Sequence, residues 1–327
     1  MSKISIIIRT LNPHRPTLER VFEGLRRQTF PLAQTELLIV DNASEPPLDA
    51  ATLGLGWHPD ARVVREPTRG KIMAQRAGIR AASPDGDLML LVDDDNVLRE
   101  DYLATGARLA GEFAQLGAWG SGSIQLHFDQ PPPASLGSLT RVLTTWKYPY
   151  AAWSSLRDLR AYSVPAGAGM FVRRAVANHW ADTFDASPMR RALFLNEDPP
   201  ILFSEDTDLA LAAPDLDLGT GIFPSLHIDH LVRAEKVSEQ RLLRLIENQQ
   251  CAEAIIFAVR GLNARTRFQR WRKAINDHAK LAFLRGNERR AHWHLLRGQA
   301  QGRRLVNEYL AAHPGEQPPV TPQPWLG

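Results

Sequence analysis

The stretch "LMLLVDDDN" at residues 88–96 joins a run of apolar residues to three adjacent carboxylates. The apolar run is typical of a strand that is buried on both faces of a parallel sheet. Two ionised groups about 4 Å apart repel by roughly 4 kcal/mol at an effective dielectric of about 20. An acidic cluster at a buried strand end therefore favours a bound cation, although a solvated acidic turn is the ordinary alternative.

Short apolar runs alternate with amphipathic segments before this stretch, which is typical of βα units in a parallel sheet. The predicted strands are residues 4–8, 36–40, 61–66 and 87–92, and the predicted helices are residues 16–28 and 71–82. Open α/β sheets bind ligands in the crevice beyond the carboxyl ends of their strands. Polar residues that follow these strands are therefore candidates for a binding site.

The downstream pattern continues with a predicted helix at 99–115 and a strand at "GSIQLHF" (122–128). Three segments are predicted to reach the same crevice as sheet edges or turns, namely "AGAGMFVRR" (166–174), "SEDTDLALAA" (204–213) and "GTGIFPSLHIDHL" (219–231). Beyond residue 237 the periodicity predicts helices, followed by an extended Pro-rich tail.

The composition is that of a globular protein, with 327 residues, 44% of them apolar and 23% charged. The longest apolar runs fall well short of the roughly 18 residues that would span a bilayer. The first residues, "MSKISIII", contain no cleavage site and read as a strand rather than a signal peptide. The single cysteine, Cys251, agrees with a reducing compartment, so we expect a cytoplasmic location.

The basic charge is concentrated near the C-terminus. Between Arg260 and Arg304 there are thirteen Lys or Arg residues and only two acids, Asp277 and Glu288. The helices predicted for this region fit three roles. They could form a solvated cap, contact another copy of the chain in an oligomer, or lie on the anionic inner face of the cell membrane. Nucleic acid is disfavoured because the sequence contains no nucleic-acid-binding motif.

The sequence contains seven short blocks of interest, which in chain order are "SIIIRTLN", "LLIVDNAS", "GKIMAQRAGIRAA", "LLVDDDN", "GAGMFVRR", "SEDTDLAL" and "FPSLHIDHL". Over roughly residues 3–235 this order resembles the family 2 glycosyltransferases. The resemblance implies the GT-A fold, a Rossmann-like α/β fold with a mostly parallel central sheet flanked by helices, here with a C-terminal helical extension. The expected domains are a GT-A domain at 1–236 (donor half about 1–97, acceptor half about 98–236), a basic helical extension at 237–312 and a Pro-rich tail at 313–327.

The resemblance also implies which residues bind the nucleotide-sugar donor. Thr10 and Asn12 correspond to positions against the nucleotide, and Asp41, aided by Asn42 and Ser44, to a carboxylate that accepts hydrogen bonds from the base. Lys71 corresponds to the basic residue that meets the diphosphate. Arg76 stands where the family commonly has Asn, and it is a further donor-binding candidate as an extra cation near the diphosphate. Asp41 as a turn cap and Lys71 as a solvated helix residue are the structural alternatives.

The acidic triplet matches the acid-x-acid motif of the family. Alternation along an extended strand predicts that Asp93 and Asp95 point one way and Asp94 the other. Asp93 and Asp95 are the candidate ligands of Mn²⁺ or Mg²⁺, and Asp94 is a further donor-binding candidate. His230 corresponds to a histidine that reaches the metal or the diphosphate. His227 is a weaker candidate, because paired histidines are more often structural.

The "SEDTD" block supplies the candidate catalytic residues. Asp206 matches the general base of the family and Glu205 lies beside it, although both could simply begin a helix. Gly167 to Gly169 would let the chain pass close to the donor sugar. The aromatic residues Trp146, Tyr148, Tyr150, Trp153 and Tyr162 suit either sugar stacking or core packing.

The predicted function is that of a metal-dependent, inverting glycosyltransferase in cell-surface polysaccharide or glycoconjugate synthesis. It would move a sugar from a nucleoside diphosphate, UDP on family frequency, to a hydroxyl of a saccharide or lipid-linked acceptor. Two alternatives stay open. One is an inactive nucleotide-sugar-binding scaffold that acts through its basic tail, and the other is a sugar nucleotidyltransferase.

Overall fold

The computed structural model describes residues 3–143, 145–156, 163–195, 204–262 and 267–316. The chain divides into two compact units. The first unit comprises Met1–Asp129, Thr144–Ala186 and Glu205–Val232. The second unit comprises Gln130–Leu143, Ser187–Ser204 and Arg233–Gly327.

The first unit is built on one sheet, to which the described residues contribute ten strands. The strands are β1 (Ile4–Thr10), β2 (Thr35–Asn42), β3 (Ala61–Glu66), β4 (Leu88–Asp93), β5 (Asn96–Leu98), β6 (Leu116–Phe128), β7 (Trp146–Lys147), β8 (Ala152–Ser154), β9 (Met170–Arg173) and β10 (Gly219–Val232). Their order is β3-β2-β1-β4-β9-β6-β10-β5, with β7 paired to β6 and β8 paired to β10.

The sheet is mixed, and its longer ladders are parallel. Strands β3, β2, β1 and β4 are parallel to one another, as are β6 and β10. The short strand β9 lies antiparallel between β4 and β6. Consequently β1, β2 and β4 end at the same edge of the sheet, where Thr10 lies opposite Asp41 and Arg9 lies opposite Asp93.

The helices of the described residues are α1 (Arg15–Arg26), α2 (Lys71–Ala81), α3 (Tyr102–Glu112), α4 (Arg174–Ala186), α5 (Pro188–Phe194), α6 (Glu205–Ala210), α7 (Glu239–Val259), α8 (Arg267–Phe283) and α9 (Gly286–Ala312). Local sequence explains several of their starts. Pro lies in the first turn of α1 and of α5, where its missing N–H costs nothing. The side chains of Ser187 and Ser238 accept the backbone N–H of Arg190 and Arg241 and so cap α5 and α7.

Aromatic stacking organises the core beneath β9. Phe171 stacks between Tyr102 and Trp119, at ring centroid distances of 5.8 and 5.6 Å. The Tyr102 hydroxyl donates to the carbonyl of Gly169, so α3 is also tied to the chain that enters β9. Gly106 of α3 lies directly over the Phe171 ring, and a Cβ there would overlap the ring.

The second unit packs α7 against α9 through two glycines. Gly298 and Gly302 lie one turn apart on α9, and a Cβ at either position would overlap the backbone of α7, at Glu247 and Cys251 respectively. The two helices therefore approach closely. His294 adds a hydrogen bond from Nδ1 to Oε2 of Glu247, at 2.7 Å.

The predicted α/β class and the C-terminal helices are confirmed. The predicted strand at 61–66 has the same bounds as β3, and the other predicted elements differ at their ends by one to six residues. The expected alternation of the acidic triplet is wrong beyond Asp93, because β4 ends there and residues 94–95 form a turn before β5. Of the predicted Pro-rich tail, residues 317–327 lie outside the described residues.

None of the helices in the described ranges combines the length and apolar character that crossing a bilayer requires.

Two glycines of α3 provide a matched test of this packing. We expect Gly106→Ala to lower the free energy of unfolding by about 1–3 kcal/mol, because the new methyl group overpacks against Phe171. Gly111→Ala should raise it by up to about 1 kcal/mol, since nothing lies within 4 Å of a Cβ there and Ala favours the helix. Urea unfolding of both variants measures the difference. Equal stability of the two variants would contradict the packing described for α3.

Candidate active site

The carboxyl ends of β1 and β4 meet in a cluster of buried ions. Arg9 Nη2 lies 2.7 Å from Asp93 Oδ1, and Arg9 Nη1 lies 2.9 Å from Glu205 Oε1. The same Nη1 donates to Gln75 Oε1 at 2.6 Å. The Arg9 and Glu205 side chains are almost fully buried. Such burial is tolerated because each charge has a partner of opposite sign.

Lys71 completes this cluster from the first residue of α2. Its Nζ lies 3.2 Å from Asp93 Oδ1 and 3.3 Å from Glu205 Oε1. Two cations therefore face two carboxylates, which we call the four-ion cluster of Arg9, Lys71, Asp93 and Glu205. Lys71 is the more exposed of the two cations, since about a third of its side chain is accessible.

The pKa values of the cluster follow from this arrangement. Burial would raise the pKa of Asp93, but the positive charges of Lys71 and Arg9 outweigh it and hold that pKa well below the ordinary value. Burial would lower the pKa of Lys71, but Asp93 and Glu205 raise it above the ordinary value. Burial raises the pKa of Glu205, and the attraction of Lys71 offsets this only in part.

Asp206 lies next to the four-ion cluster but has different partners. Its Oδ2 accepts the backbone N–H of Gly167 at 2.6 Å, and its Oδ1 accepts the N–H of Thr207 at 2.8 Å. A Cβ at position 167 would lie 2.7 Å from the Asp206 Cβ, so only glycine permits this approach. The structure thus brings together the "GAG" and "SEDTD" blocks that the sequence predicted would enter one crevice.

Asp41 is held by the loop that follows β2. Its Oδ1 accepts the N–H of Ser44 at 2.9 Å, its Oδ2 accepts the N–H of Leu48 at 3.0 Å, and Arg65 forms an ion pair with it. Burial would raise the pKa of Asp41, but the hydrogen bonds from Ser44, Leu48 and Arg65 hold it below its ordinary value. These contacts fit the turn-capping alternative for Asp41. They fix the loop of residues 44–48 against Asp41, the predicted base-binding residue.

The remaining donor candidates brace loops at the same sheet edge. Asn42 donates from Nδ2 to the Thr68 carbonyl at 2.7 Å and accepts the N–H of Gly70 at 2.9 Å, which fixes the start of α2. Asn12 accepts the N–H of Glu45 through Oδ1 at 2.9 Å. Thr10 donates from its hydroxyl to Asp94 Oδ2.

Arg76 is directed elsewhere. Its Nε and Nη2 make a bidentate pair with the Asp185 carboxylate of α4, the second bond at 3.0 Å. Arg80, one turn further along α2, bonds the same carboxylate at 3.0 Å. In this structure Arg76 therefore joins α2 to α4 through Asp185, which is not among the predicted donor residues.

Asp95 and His230 lie together beyond the end of β4. His230 Nε2 is 3.8 Å from Asp95 Oδ1, and Asn96 donates from Nδ2 to the same oxygen at 2.9 Å. Both side chains are mostly buried. A carboxylate oxygen and an imidazole nitrogen are both atom types that bind divalent cations. Both oxygens of Asp93 face cationic groups. Within the described residues no group of three or more His, Cys, Asp or Glu side chains is arranged to hold a metal ion.

His227 is bonded at both ring nitrogens. Its Nδ1 lies 2.8 Å from Ser123 Oγ, and its Nε2 lies 3.2 Å from Asp229 Oδ1. These contacts agree with a structural role. Of the aromatic candidates, Trp146 donates to the Ser121 carbonyl, Tyr150 and Trp153 are exposed, and Tyr162 lies outside the described residues.

Sequence reasoning missed Arg9 and Gln75. Arg9 ends the run "ISIII", and a basic side chain at the end of a buried strand needs anionic partners. That signal was available in the sequence. Gln75 gave no comparable signal, because a single amide within an amphipathic helix is ordinary. It donates from Nε2 to the Glu205 carbonyl at 3.0 Å and so holds α6 against α2.

Comparison with known proteins finds a match to one family model in the N-terminal part of the chain. Residues 5–149 match the model of glycosyl transferase family 2, which confirms the resemblance seen in the sequence. No curated protein matches the chain. Among solved structures, S. aureus TarS 1-349 in complex with UDP-GlcNAc aligns at 16% identity over 95% of this chain and 92% of that chain, with a TM-score of 0.43. GalNAc-T7 with UDP, GalNAc and Mn²⁺ aligns at 15% identity over 85% of this chain and 55% of that chain, with a TM-score of 0.47.

Arg9 can be tested by its effect on stability. We expect Arg9→Met to lower the free energy of unfolding by about 3–5 kcal/mol, because Asp93 and Glu205 would then share one cation. Arg20→Met on the exposed face of α1 is the matched control and should change stability by no more than about 0.5 kcal/mol. Chemical denaturation measures both variants. A loss of less than about 1 kcal/mol for Arg9→Met would show that the buried pairs do not hold the fold together.

Proposed function

Because residues 5–149 are a glycosyl transferase family 2 domain, we propose that the protein transfers a sugar from a nucleoside diphosphate, preferentially UDP, to a hydroxyl group. The acceptor is a saccharide or a lipid-linked molecule, and the product belongs to cell-surface polysaccharide or glycoconjugate. One observation carries this proposal. The four-ion cluster, the start of α2 and the Asp206 carboxylate lie at one edge of the sheet.

The diphosphate of the donor would bind at the start of α2. Lys71 is the first residue of this helix, and its ammonium group is partly accessible. The backbone N–H groups of the first helical turn carry partial positive charge, which favours a phosphate at this position. Lys71 would then turn from Asp93 and Glu205 toward the donor, while buried Arg9 keeps both carboxylates paired.

The residues Asp95 and His230 suit a divalent cation. Mg²⁺ and Mn²⁺ bind in proteins through few carboxylate or imidazole ligands, with phosphate oxygens and water filling the remaining positions. Asp95 Oδ1 and His230 Nε2, which lie 3.8 Å apart, would therefore bind such a cation without a third protein ligand. When bound, the cation would neutralise charge on the departing nucleoside diphosphate. Asp93 contributes by holding Arg9 in place.

Asp206 is proposed as the general base. Each of its oxygens accepts one backbone N–H, which leaves lone pairs that can accept the proton of an acceptor hydroxyl. The hydroxyl oxygen would form the new bond to the anomeric carbon as the bond to the diphosphate breaks on the opposite face. The configuration inverts, and no covalent intermediate is needed. Glu205, held by Arg9, would position this segment.

Two other functions are distinguished by their products. A scaffold without catalysis would bind the donor and release no nucleotide. A sugar nucleotidyltransferase would release pyrophosphate from a nucleoside triphosphate and a sugar 1-phosphate. Nucleoside diphosphate release from a panel of UDP-, GDP- and dTDP-sugars with Mn²⁺, lost on chelation, is the result that this proposal predicts.

The assigned base is tested by Asp206→Asn. We expect nucleotide release to fall about 10²–10⁴-fold, because the amide cannot take the proton, while donor binding stays nearly unchanged. Asp217→Asn is the matched control, since Asp217 is exposed and in the left-handed region that Asn tolerates. Its turnover should equal that of the wild type. Equal turnover by Asp206→Asn and wild type would refute the assignment.

A further inference from the structure

Helix α8 carries a stripe of exposed apolar side chains. Trp271, Ile275 and Phe283 expose 60%, 48% and 84% of their surface. Ala279 and Ala282 between them are also exposed. The spacing of four, eight, eleven and twelve residues from Trp271 places all five side chains on one face of the helix.

The side of α8 away from this stripe contacts α9. Lys273 donates from Nζ to Gln299 Oε1 at 3.1 Å, and His292 Nε2 lies 2.9 Å from the Asp277 carbonyl. Lys273 and the Asp277 carbonyl therefore form hydrogen bonds within the second unit, whereas the larger apolar side chains of the stripe face outward. A stripe of this size on a soluble surface marks an interaction site.

The charge around the stripe is strongly positive. Residues 267–312 contain eleven Lys or Arg residues and three acids, Asp277, Glu288 and Glu308. Arg272 and Lys280 are exposed. By helical position Arg272 lies within the stripe, between Ala279 and Phe283, and Lys280 lies about 60° beyond Phe283. Exposed aromatic and aliphatic groups bordered by basic residues are the composition of a helix that lies in a membrane interface.

We propose that α8 docks on the surface of an anionic bilayer, with Ile275 and Phe283 inserted among the lipids and Arg272 and Lys280 against the lipid phosphates. A second copy of the chain fits less well, because a symmetric contact would bring two strongly basic faces together. A nucleic acid would use the positive charge but would leave the aliphatic part of the stripe in water. This surface is independent of the proposed sugar transfer.

Vesicle sedimentation of the full chain tests the proposal. Vesicles of phosphatidylcholine with about one quarter phosphatidylglycerol should pellet the protein, and vesicles of phosphatidylcholine alone should not. Raising the salt from about 0.05 M to about 0.5 M should weaken binding to the anionic vesicles by screening the basic residues. No sedimentation with anionic vesicles at low salt would overturn the proposal.

Paired variants separate the apolar and the charged parts of the surface. Ile275→Ser/Phe283→Ser should weaken vesicle binding at least about tenfold, equivalent to about 1.4 kcal/mol. The matched control Tyr150→Ser/Leu156→Ser changes side chains of similar type and exposure in the first unit and should leave vesicle binding unchanged. Arg272→Gln/Lys280→Gln should also weaken binding, whereas Arg20→Gln/Arg27→Gln, with the same loss of charge on α1 and its C-cap residue, should not.

Three results would contradict the proposal. The Ile275→Ser/Phe283→Ser variant could bind vesicles as the wild type does. It could convert a wild-type dimer into a monomer, which would assign the stripe to a second copy. Alternatively, single-stranded RNA could bind more tightly than the vesicles in a way that depends on Arg272 and Lys280 but not on Phe283. Unchanged melting temperatures of the variants exclude misfolding as the cause of any loss.

Discussion

The ion pairs of Arg9 and Lys71 with Asp93 and Glu205 are the constraint on which the proposed site depends. They join β1 and β4 to the starts of α2 and α6, and Glu205 is 196 residues from Arg9 along the chain. A buried charge without a partner is strongly destabilising, so none of the four residues is replaceable on its own without cost. The same pairs keep Asp206, the neighbour of Glu205, beside Gly167.

Binding a negatively charged donor would require more positive charge than the four-ion cluster provides. Two cations and two carboxylates have no net charge, so a diphosphate bound at the start of α2 adds negative charge that the cluster alone does not neutralise. The positive end of α2 and a cation held by Asp95 and His230 would supply the missing charge. The acidic stretch Asp93–Asp95, which begins at the last residue of β4, therefore has two parts. Asp93 orders the protein's own cations, and Asp95 would serve the ligand.

Much of this arrangement follows from the sequence, because apolar runs such as "LLIV" and "LMLLV" predict strands whose ends must meet at one sheet edge. The sequence could not predict which long-range partner each polar side chain finds. Arg76 pairs with Asp185, 109 residues away, because α4 packs beside α2. Asp41 is surrounded by donors from its own loop, which local pattern alone does not distinguish from a base-binding carboxylate. The turn at Asp94 depends on where β4 stops, and strand ends are set by tertiary pairing.

Calorimetric titration of UDP into the wild-type protein, with Mn²⁺ and with a chelator instead, measures whether this sheet edge takes up a nucleoside diphosphate together with a divalent cation. We expect saturable UDP binding with Mn²⁺ that weakens at least about tenfold on chelation, or about 1.4 kcal/mol, and a similar loss for Asp95→Ala. Absence of UDP binding in the presence of Mn²⁺, or equal affinity with the chelator, would contradict it.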